Sequence, residues 1–214
     1  MARILFLLLV ITTANSLAVE VQTPSGTLVG KSSESSETIS VFKNIPYAIP
    51  PVGARRWTYA EPIPAWKGKR KVTTFSPSCQ QHPYPDGSFF SRPSEPTSED
   101  CLYLNIWSPM TPAKDKNLPV MVWIHGGALT RGSGASAAYD GTELAKKGVV
   151  LVTINYRLGV FGYMAHPELS AESEHKSSGN YGTSDQIQAL RWVQNNISAF
   201  GGNPDNVTIL ANPR

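Results

Sequence analysis

Hydrophobic side chains make up 41% of the 214 residues and charged ones 16%, enough apolar content for a buried core and too few charges for a disordered polyelectrolyte. Glycine and proline together supply 34 residues, about 16% against a usual total of roughly 12%, which predicts many turns and excludes a helical bundle or coiled coil. A net charge of +3 excludes a strongly basic nucleic-acid binder, and two cysteines exclude a disulfide-dense miniprotein and a four-cysteine zinc site.

Residues 1–18 read as a cleavable export signal. Arg3 is the positive start, residues 4–11 are an unbroken apolar run, and Ser16 and Ala18 are small residues at −3 and −1 of a cleavage point. The run is too short to span a bilayer, which takes about 20 apolar residues, and no later segment could do so. A buried N-terminal strand is the competing reading. The expectation is a mature chain, residues 19–214, that is secreted or periplasmic and meets an oxidising compartment.

Short strands are predicted at residues 19–22, 28–31 and 39–42, separated by Gly26 and a Ser/Glu loop, as a small antiparallel sheet. Residues 44–53 hold Pro46, Pro50 and Pro51 and are expected to be extended and without ladder bonds. Lys67-Gly68-Lys69-Arg70-Lys71 is read as a solvated loop or edge strand, with a heparin or nucleic-acid patch as the sharper alternative. Residues 79–101 carry four prolines and read as a surface loop. Residues 102–107 alternate as a strand. Residues 120–125 and 149–154 are continuous apolar runs, the pattern of strands buried on both faces of a parallel sheet. A short helix is predicted at 142–147. A longer one starts near Thr183, with Thr183 and Gln186 as a capping box and Ile187, Leu190, Val193 and Ile197 on its buried face. Gly201 and Gly202 stop that helix, and a strand at 207–210 follows. A helix between apolar strands is the α/β signature.

Several segments then match one family in order. They are Phe42-Lys43-Asn44-Ile45-Pro46-Tyr47-Ala48 with Pro50-Pro51-Val52-Gly53, Glu99-Asp100-Cys101-Leu102-Tyr103-Leu104-Asn105-Ile106, and Trp123-Ile124-His125-Gly126-Gly127. Next come Asn155-Tyr156-Arg157-Leu158-Gly159, Gly179-Asn180-Tyr181-Gly182 with Asp185-Gln186, and Phe200-Gly201-Gly202-Asn203-Pro204. Together they resemble the type-B carboxylesterases, the cholinesterase-like branch of the α/β-hydrolases. The resemblance covers nearly all of residues 19–214. It implies the N-terminal part of an α/β-hydrolase fold, a small antiparallel sheet leading into a mostly parallel central sheet.

The resemblance also implies a serine hydrolase acting on small-molecule carboxylic esters without a cofactor and without nucleic acid; it sets no oligomeric state. Such a site needs a serine, a histidine, a carboxylate and backbone amides that stabilise the oxyanion. His125-Gly126-Gly127-Ala128 resembles the HGGG-type oxyanion loop, with Gly127 and Ala128 as donors and Gly126 as the turn. Where Ala128 stands, the family often has glycine. His125 is expected to order the loop and not to act as a base. His82, His166 and His175 match no catalytic histidine and are expected at the surface.

The nucleophile of this fold sits in Gly-x-Ser-x-Gly, and no such pattern occurs. Ser32, Ser136 and Ser184 follow a glycine by two residues but lack the second glycine. By resemblance the strand at 207–210 would feed the nucleophile elbow, and the sequence reads Leu210-Ala211-Asn212-Pro213-Arg214 there. The expectation is therefore a partial domain, truncated before the elbow, that holds none of the triad and is inactive alone. A second expectation is that residues 207–210 become an exposed edge and make the isolated chain poorly soluble or only partly folded.

The family pairs cysteines at the places of Cys79 and Cys101; a zinc reading of Cys79 with His82 would need more ligands. In cholinesterases the enclosed loop carries a tryptophan that holds a quaternary ammonium. Here the neighbourhood is Phe89-Phe90-Ser91-Arg92, which favours a general carboxylesterase. Asn196 and Asn206 head glycosylation sequons, both expected in packed positions. Two other classes compete. Ser40-Val41-Phe42-Lys43 and Ser173-Glu174-His175-Lys176 fit Ser-x-x-Lys, without an accompanying Lys-Thr-Gly. A non-catalytic, cholinesterase-like binding or adhesion module would keep the fold and lose the serine.

Overall fold

The computed structural model describes residues 17–82, 96–110 and 117–212. The expected signal lies outside the described residues except for Leu17 and Ala18, and the Phe89 to Arg92 stretch lies outside them entirely. β1 (Ala18–Thr23), β2 (Gly26–Ser33) and β3 (Ser36–Pro46) form antiparallel pairs, as their alternating polar and apolar residues predict. The expectation that residues 44–53 make no ladder bonds is corrected. Ile45 and Pro46 stand opposite Leu104 and Tyr103, and the Tyr47 amide donates to the Leu102 carbonyl at 3.2 Å. Asn44 takes a left-handed φ of 65° at a break in the register, which absorbs the irregular residues and lets pairing resume.

β4 (Lys69–Lys71) is an exposed strand parallel to β2, so the basic cluster is a solvated edge. Lys69 pairs with Glu20 at 2.6 Å, and the Arg70 guanidinium lies 4.5 Å from the centre of the Trp66 ring. β5 (Ser78–Cys79) and β6 (Thr97–Ser98) are a two-residue parallel pair beside the Cys79–Cys101 disulfide. Then follow β7 (Tyr103–Pro109), β8 (Leu118–Ile124), α1 (Thr142–Ala145), β9 (Val150–Ile154), α2 (Gly159–Tyr163), α3 (Pro167–Glu172), α4 (Tyr181–Asn196) and β10 (Gly202–Ala211).

Among the described residues eight strands join in one mixed sheet, in the order β1-β2-β3-β7-β9-β8-β10 with β4 beside β2. The antiparallel N-terminal strands are continuous with the central ones, and the parallel part comprises β9, β8 and β10. All five residues of β9 are buried, because both faces of the sheet are covered. On one face Phe42, Leu104, Ile106, Val122 and Val152 meet Ala189, Trp192 and Val193 of α4 and Phe200 of the 3-10 turn that follows it. On the other, Ile39, Val41, Trp107 and Leu151 meet Ala145 of α1.

The reading of α4 needs two corrections. The helix begins at Tyr181, so Thr183 lies within its first turn, and the Asn180 cap makes no side-chain bond. Its buried face holds Tyr181, Asp185, Gln188, Ala189, Trp192, Val193 and Asn196, while Ile187 is 46% exposed. Polar residues with fixed partners, not the apolar repeat alone, set the face. Asn196 is buried and its amide donates to the Trp192 carbonyl at 2.8 Å. Asn206 is exposed, against the expectation that both sequon asparagines are packed. No helix among the described residues is long and apolar enough to cross a membrane.

The strand order positions the site. The connection that leaves β8 runs to β9 on one side, and the connection that leaves β9 crosses to β10 on the other side of β8. The C-terminal end of β8 is therefore a topological switch point, the place where open α/β sheets leave a crevice for ligands.

Candidate active site

His125 is the first residue after β8 and Gly126-Gly127-Ala128 leave the sheet at that switch point. The His125 ring is buried and stacks on Tyr156 with centroids 4.5 Å apart. Its Nδ1 lies 3.0 Å from the Gly126 carbonyl, so this nitrogen carries the proton and donates it, and the Tyr156 hydroxyl donates to the His125 carbonyl at 2.8 Å. Among the described residues Nε2 is buried without a partner. Burial pulls the imidazole pKa from 6.5 down to about 4, so the ring is neutral at pH 7. No serine or threonine hydroxyl bonds this ring among the described residues. It orders the loop, as expected.

The ordering has a direct chemical effect. A trans peptide unit sets its carbonyl and its N–H on opposite sides. Holding the Gly126 carbonyl with the imidazole therefore turns the Gly127 N–H away from the ring. The Gly127 carbonyl in turn accepts from the Thr130 and Arg131 amides at 3.0 and 3.2 Å and from the Thr130 hydroxyl at 3.1 Å, which turns the Ala128 N–H the opposite way. Among the described residues the Gly127 and Ala128 amides themselves donate to nothing. Gly127 has φ +125°, and a Cβ there would run into the Arg131 carbonyl, so glycine is required. Ala128 and Leu129 also have positive φ, 53° and 60°, a conformation that costs a residue with a Cβ on the order of 1–3 kcal/mol. Ala128 and Leu129 are exposed, so the described residues alone do not shut water out of the loop.

The segment after β9 is the second wall. The Asn155 side chain is buried, accepts from the Gly134 amide at 2.8 Å and donates to Ser76 and the Pro77 carbonyl, each at 3.3 Å. Arg157 forms a buried two-point pair with Asp185 of α4, Nε to Oδ2 at 2.8 Å and Nη2 to Oδ1 at 2.7 Å, and its amide also donates to Oδ2 at 2.9 Å. Burial pushes the Asp185 carboxyl up, against the pull of that guanidinium. The Gly159 amide donates to the Leu129 carbonyl at 2.7 Å. One short stretch, Asn155-Tyr156-Arg157-Leu158-Gly159, thus fixes the glycine loop on one side and α4 on the other. The residues of this stretch were visible only as a resemblance; their roles come from contacts distant in sequence. Gln81, which the sequence did not single out, donates to the Gly132 carbonyl at 2.8 Å and accepts from the Gly132 amide at 2.7 Å.

The other candidates fall elsewhere. Cys79 and Cys101 are bonded to each other. His82, His166 and His175 are exposed; His166 caps α3 and His175 packs edge-on against Tyr59. Ser32 lies in β2, and the Ser184 hydroxyl donates to the Tyr181 carbonyl and accepts from the Ala60 amide. Ser136 precedes a 3-10 turn. In the Ser-x-x-Lys patterns the Ser40 hydroxyl donates to the Ser108 carbonyl while the Lys43 ammonium lies over the Phe75 ring, and the Lys176 ammonium reaches the Ala171 carbonyl and not Ser173. The end of β10 comes back to the site: Ala211 stands beside Ile124, and the Asn212 amide donates to the Ile124 carbonyl at 3.2 Å.

Comparison with known proteins agrees with this arrangement. The sequence model of the carboxylesterase family matches residues 17–213. The chain is 50% identical over 173 residues to a fumonisin B1 esterase of Sphingopyxis macrogoltabida, covering 80% of this chain and 31% of that protein. It is 48% identical over 174 residues to the para-nitrobenzyl esterase of Bacillus subtilis (strain 168), covering 79% and 33%. Among solved structures, a PNB esterase superimposes with a TM-score of 0.80 at 43% identity, over 91% of this chain and 38% of that one. The chain spans about a third of the length of the relatives it matches. With the family model matched from end to end of the described fold, and the glycine loop set where α/β sheets hold ligands, the chain belongs to the carboxylesterase family.

Proposed function

We propose that these residues form the oxyanion-stabilising side of a serine carboxylic-ester hydrolase, with the Gly127 and Ala128 amides as the two donors and Gly126 as the turn that presents them. The carrying observation is the pair of consecutive amides with no acceptor among the described residues, each aimed by a carbonyl that is itself held. Charge that develops on an ester oxygen in the tetrahedral intermediate is stabilised by such donors, each worth about 3–4 kcal/mol once water is excluded. The 214 residues contain no Gly-x-Ser-x-Gly, so the attacking group is not among them, and the chain by itself neither turns over esters nor forms an acyl intermediate. The end of β10 supports this reading, since it brings the backbone beside Ile124, the last residue before the glycine loop. Residues 1–18 act as an export signal in this reading, consistent with the disulfide.

The test is a chimera in which residues 17–212 replace the matching part of the Bacillus subtilis para-nitrobenzyl esterase. The chimera is expected to hydrolyse a para-nitrobenzyl ester, and Gly127→Ala is expected to lower its kcat by about 100- to 1,000-fold. The 214-residue chain is expected to be inert to the ester and to a fluorophosphonate label. A folded chimera whose kcat ignores Gly127 overturns the donor assignment. Labelling of the unfused chain overturns the missing nucleophile.

A further inference from the structure

We propose that Gln81 is a positioning residue that couples the Cys79–Cys101 disulfide to the direction of the oxyanion-loop amides. Its side-chain amide grips the Gly132 peptide groups from both ends, accepting from the Gly132 N–H at 2.7 Å and donating to the Gly132 carbonyl at 2.8 Å. The same nitrogen donates to the Cys79 carbonyl at 3.0 Å. The glutamine nitrogen therefore bridges the disulfide-bonded backbone and Gly132, and the oxygen holds Gly132 a second time.

The path onward from Gly132 is steric. A Cβ built on Gly132 would strike His125 Nδ1 and the Gly126 carbonyl oxygen, so the Gly132 backbone lies directly against both. Those two atoms share the hydrogen bond that sets the Gly126–Gly127 peptide plane, and hence the direction of the Gly127 N–H. A shift of Gly132 by a fraction of an ångström must move this plane, because no gap lies between them to absorb it. The disulfide anchors the other end: Cys79 is buried and belongs to the two-residue strand pair with Thr97 and Ser98. Gln81 is only partly buried, so its contribution is the two-point bond and not the filling of a core position.

The functional meaning of this coupling rests on the oxyanion reading above, but the coupling is measurable without turnover. Gln81→Met keeps the length and apolar stem and removes all three hydrogen bonds. In the oxidised chain it is expected to speed amide exchange at Gly132 and at Thr130 and Arg131, whose amides hold the Gly127 carbonyl, by about tenfold or more, with exchange in β9 unchanged. Reduction of the wild-type disulfide with dithiothreitol is expected to give the same local acceleration, and reduction of Gln81→Met to add little to it. Equal exchange in Gln81→Met and wild type overturns the proposal. So does reduction that leaves residues 130–132 protected, or acceleration spread evenly over the sheet. The chimera experiment reports separately on the ester-hydrolase reading, so either can fail while the other stands.

Discussion

At the scale of single residues, His125 carries the most consequence. Its folded pKa of about 4 lies below the unfolded value of 6.5. The unfolded chain therefore binds the proton first as acid is added, and stability is full above pH 6.5 and falls as the pH drops toward 4. The gap corresponds to about 3 kcal/mol at the acid end. His125→Phe keeps the stack on Tyr156 and removes the titration. It is expected to lose roughly 1 kcal/mol at pH 7 through the Gly126 bond but to show a flatter stability profile between pH 6.5 and 4, read from urea midpoints. Parallel profiles for the two proteins would mean that another group governs acid unfolding. The site was legible at this scale wherever a residue type is itself the signal. His125, Gly126 and Gly127 announce a tight loop by composition. Gln81 and Asn155 were not legible, because an amide side chain acquires its role only from the backbone it reaches, 51 residues away for Gln81 and 21 for Asn155.

At the scale of elements, the Arg157–Asp185 pair decides where α4 sits. Both side chains are buried, and Asp185 lies one turn into the helix. Asp185→Ala leaves a buried guanidinium without its counter-charge and is expected to cost about 3–5 kcal/mol in chemical denaturation. Arg157→Met combined with Asp185→Leu is expected to recover much of that loss, since it removes both charges; a double variant as unstable as Asp185→Ala would show that packing, and not charge, explains the cost. The same pair explains a limit of the sequence reading. β8 and β9 were legible from their apolar runs and β7 from its alternation, because strands in the middle of the sheet have little choice of residue. The start and face of α4 were not. An apolar count puts Ile187 inside and takes Thr183 as a cap, whereas Asp185, Gln188 and Asn196 turn the helix so that Ile187 meets solvent. The proline-rich stretch after Asn44 misled for a related reason: a single left-handed residue restored pairing that three prolines argued against.

At the scale of the whole molecule, the sheet has two unlike margins. On the β1 side, charged β4 lies beside β2 and presents Lys69, Arg70 and Lys71 to solvent, a device that blunts edge-to-edge pairing. On the β10 side Ile209 is 51% exposed, and its strand pairs only with β8 among the described residues. Self-association of the chain is expected to run through this margin. Ile209→Lys is expected to raise the monomer fraction in sedimentation velocity while shifting the unfolding free energy by no more than about 0.5 kcal/mol. Association undiminished in that variant would place the sticky surface elsewhere.

The crossing of β8 by the β9-to-β10 connection also imposes an order of events during synthesis. β8 leaves the ribosome well before β9 and much longer before β10, yet its final neighbours are those two strands, one on each flank. The nascent chain must therefore carry a bare, strongly apolar ribbon, Val120-Met121-Val122-Trp123-Ile124, until residues as late as 211 arrive to close its second flank. Late, long-range closure of this kind is slow and exposes the ribbon to mispairing. Chaperone dependence of this polypeptide should thus track the time between translation of Ile124 and of Ala211, and a slower-translating stretch between them should lower the yield of soluble protein.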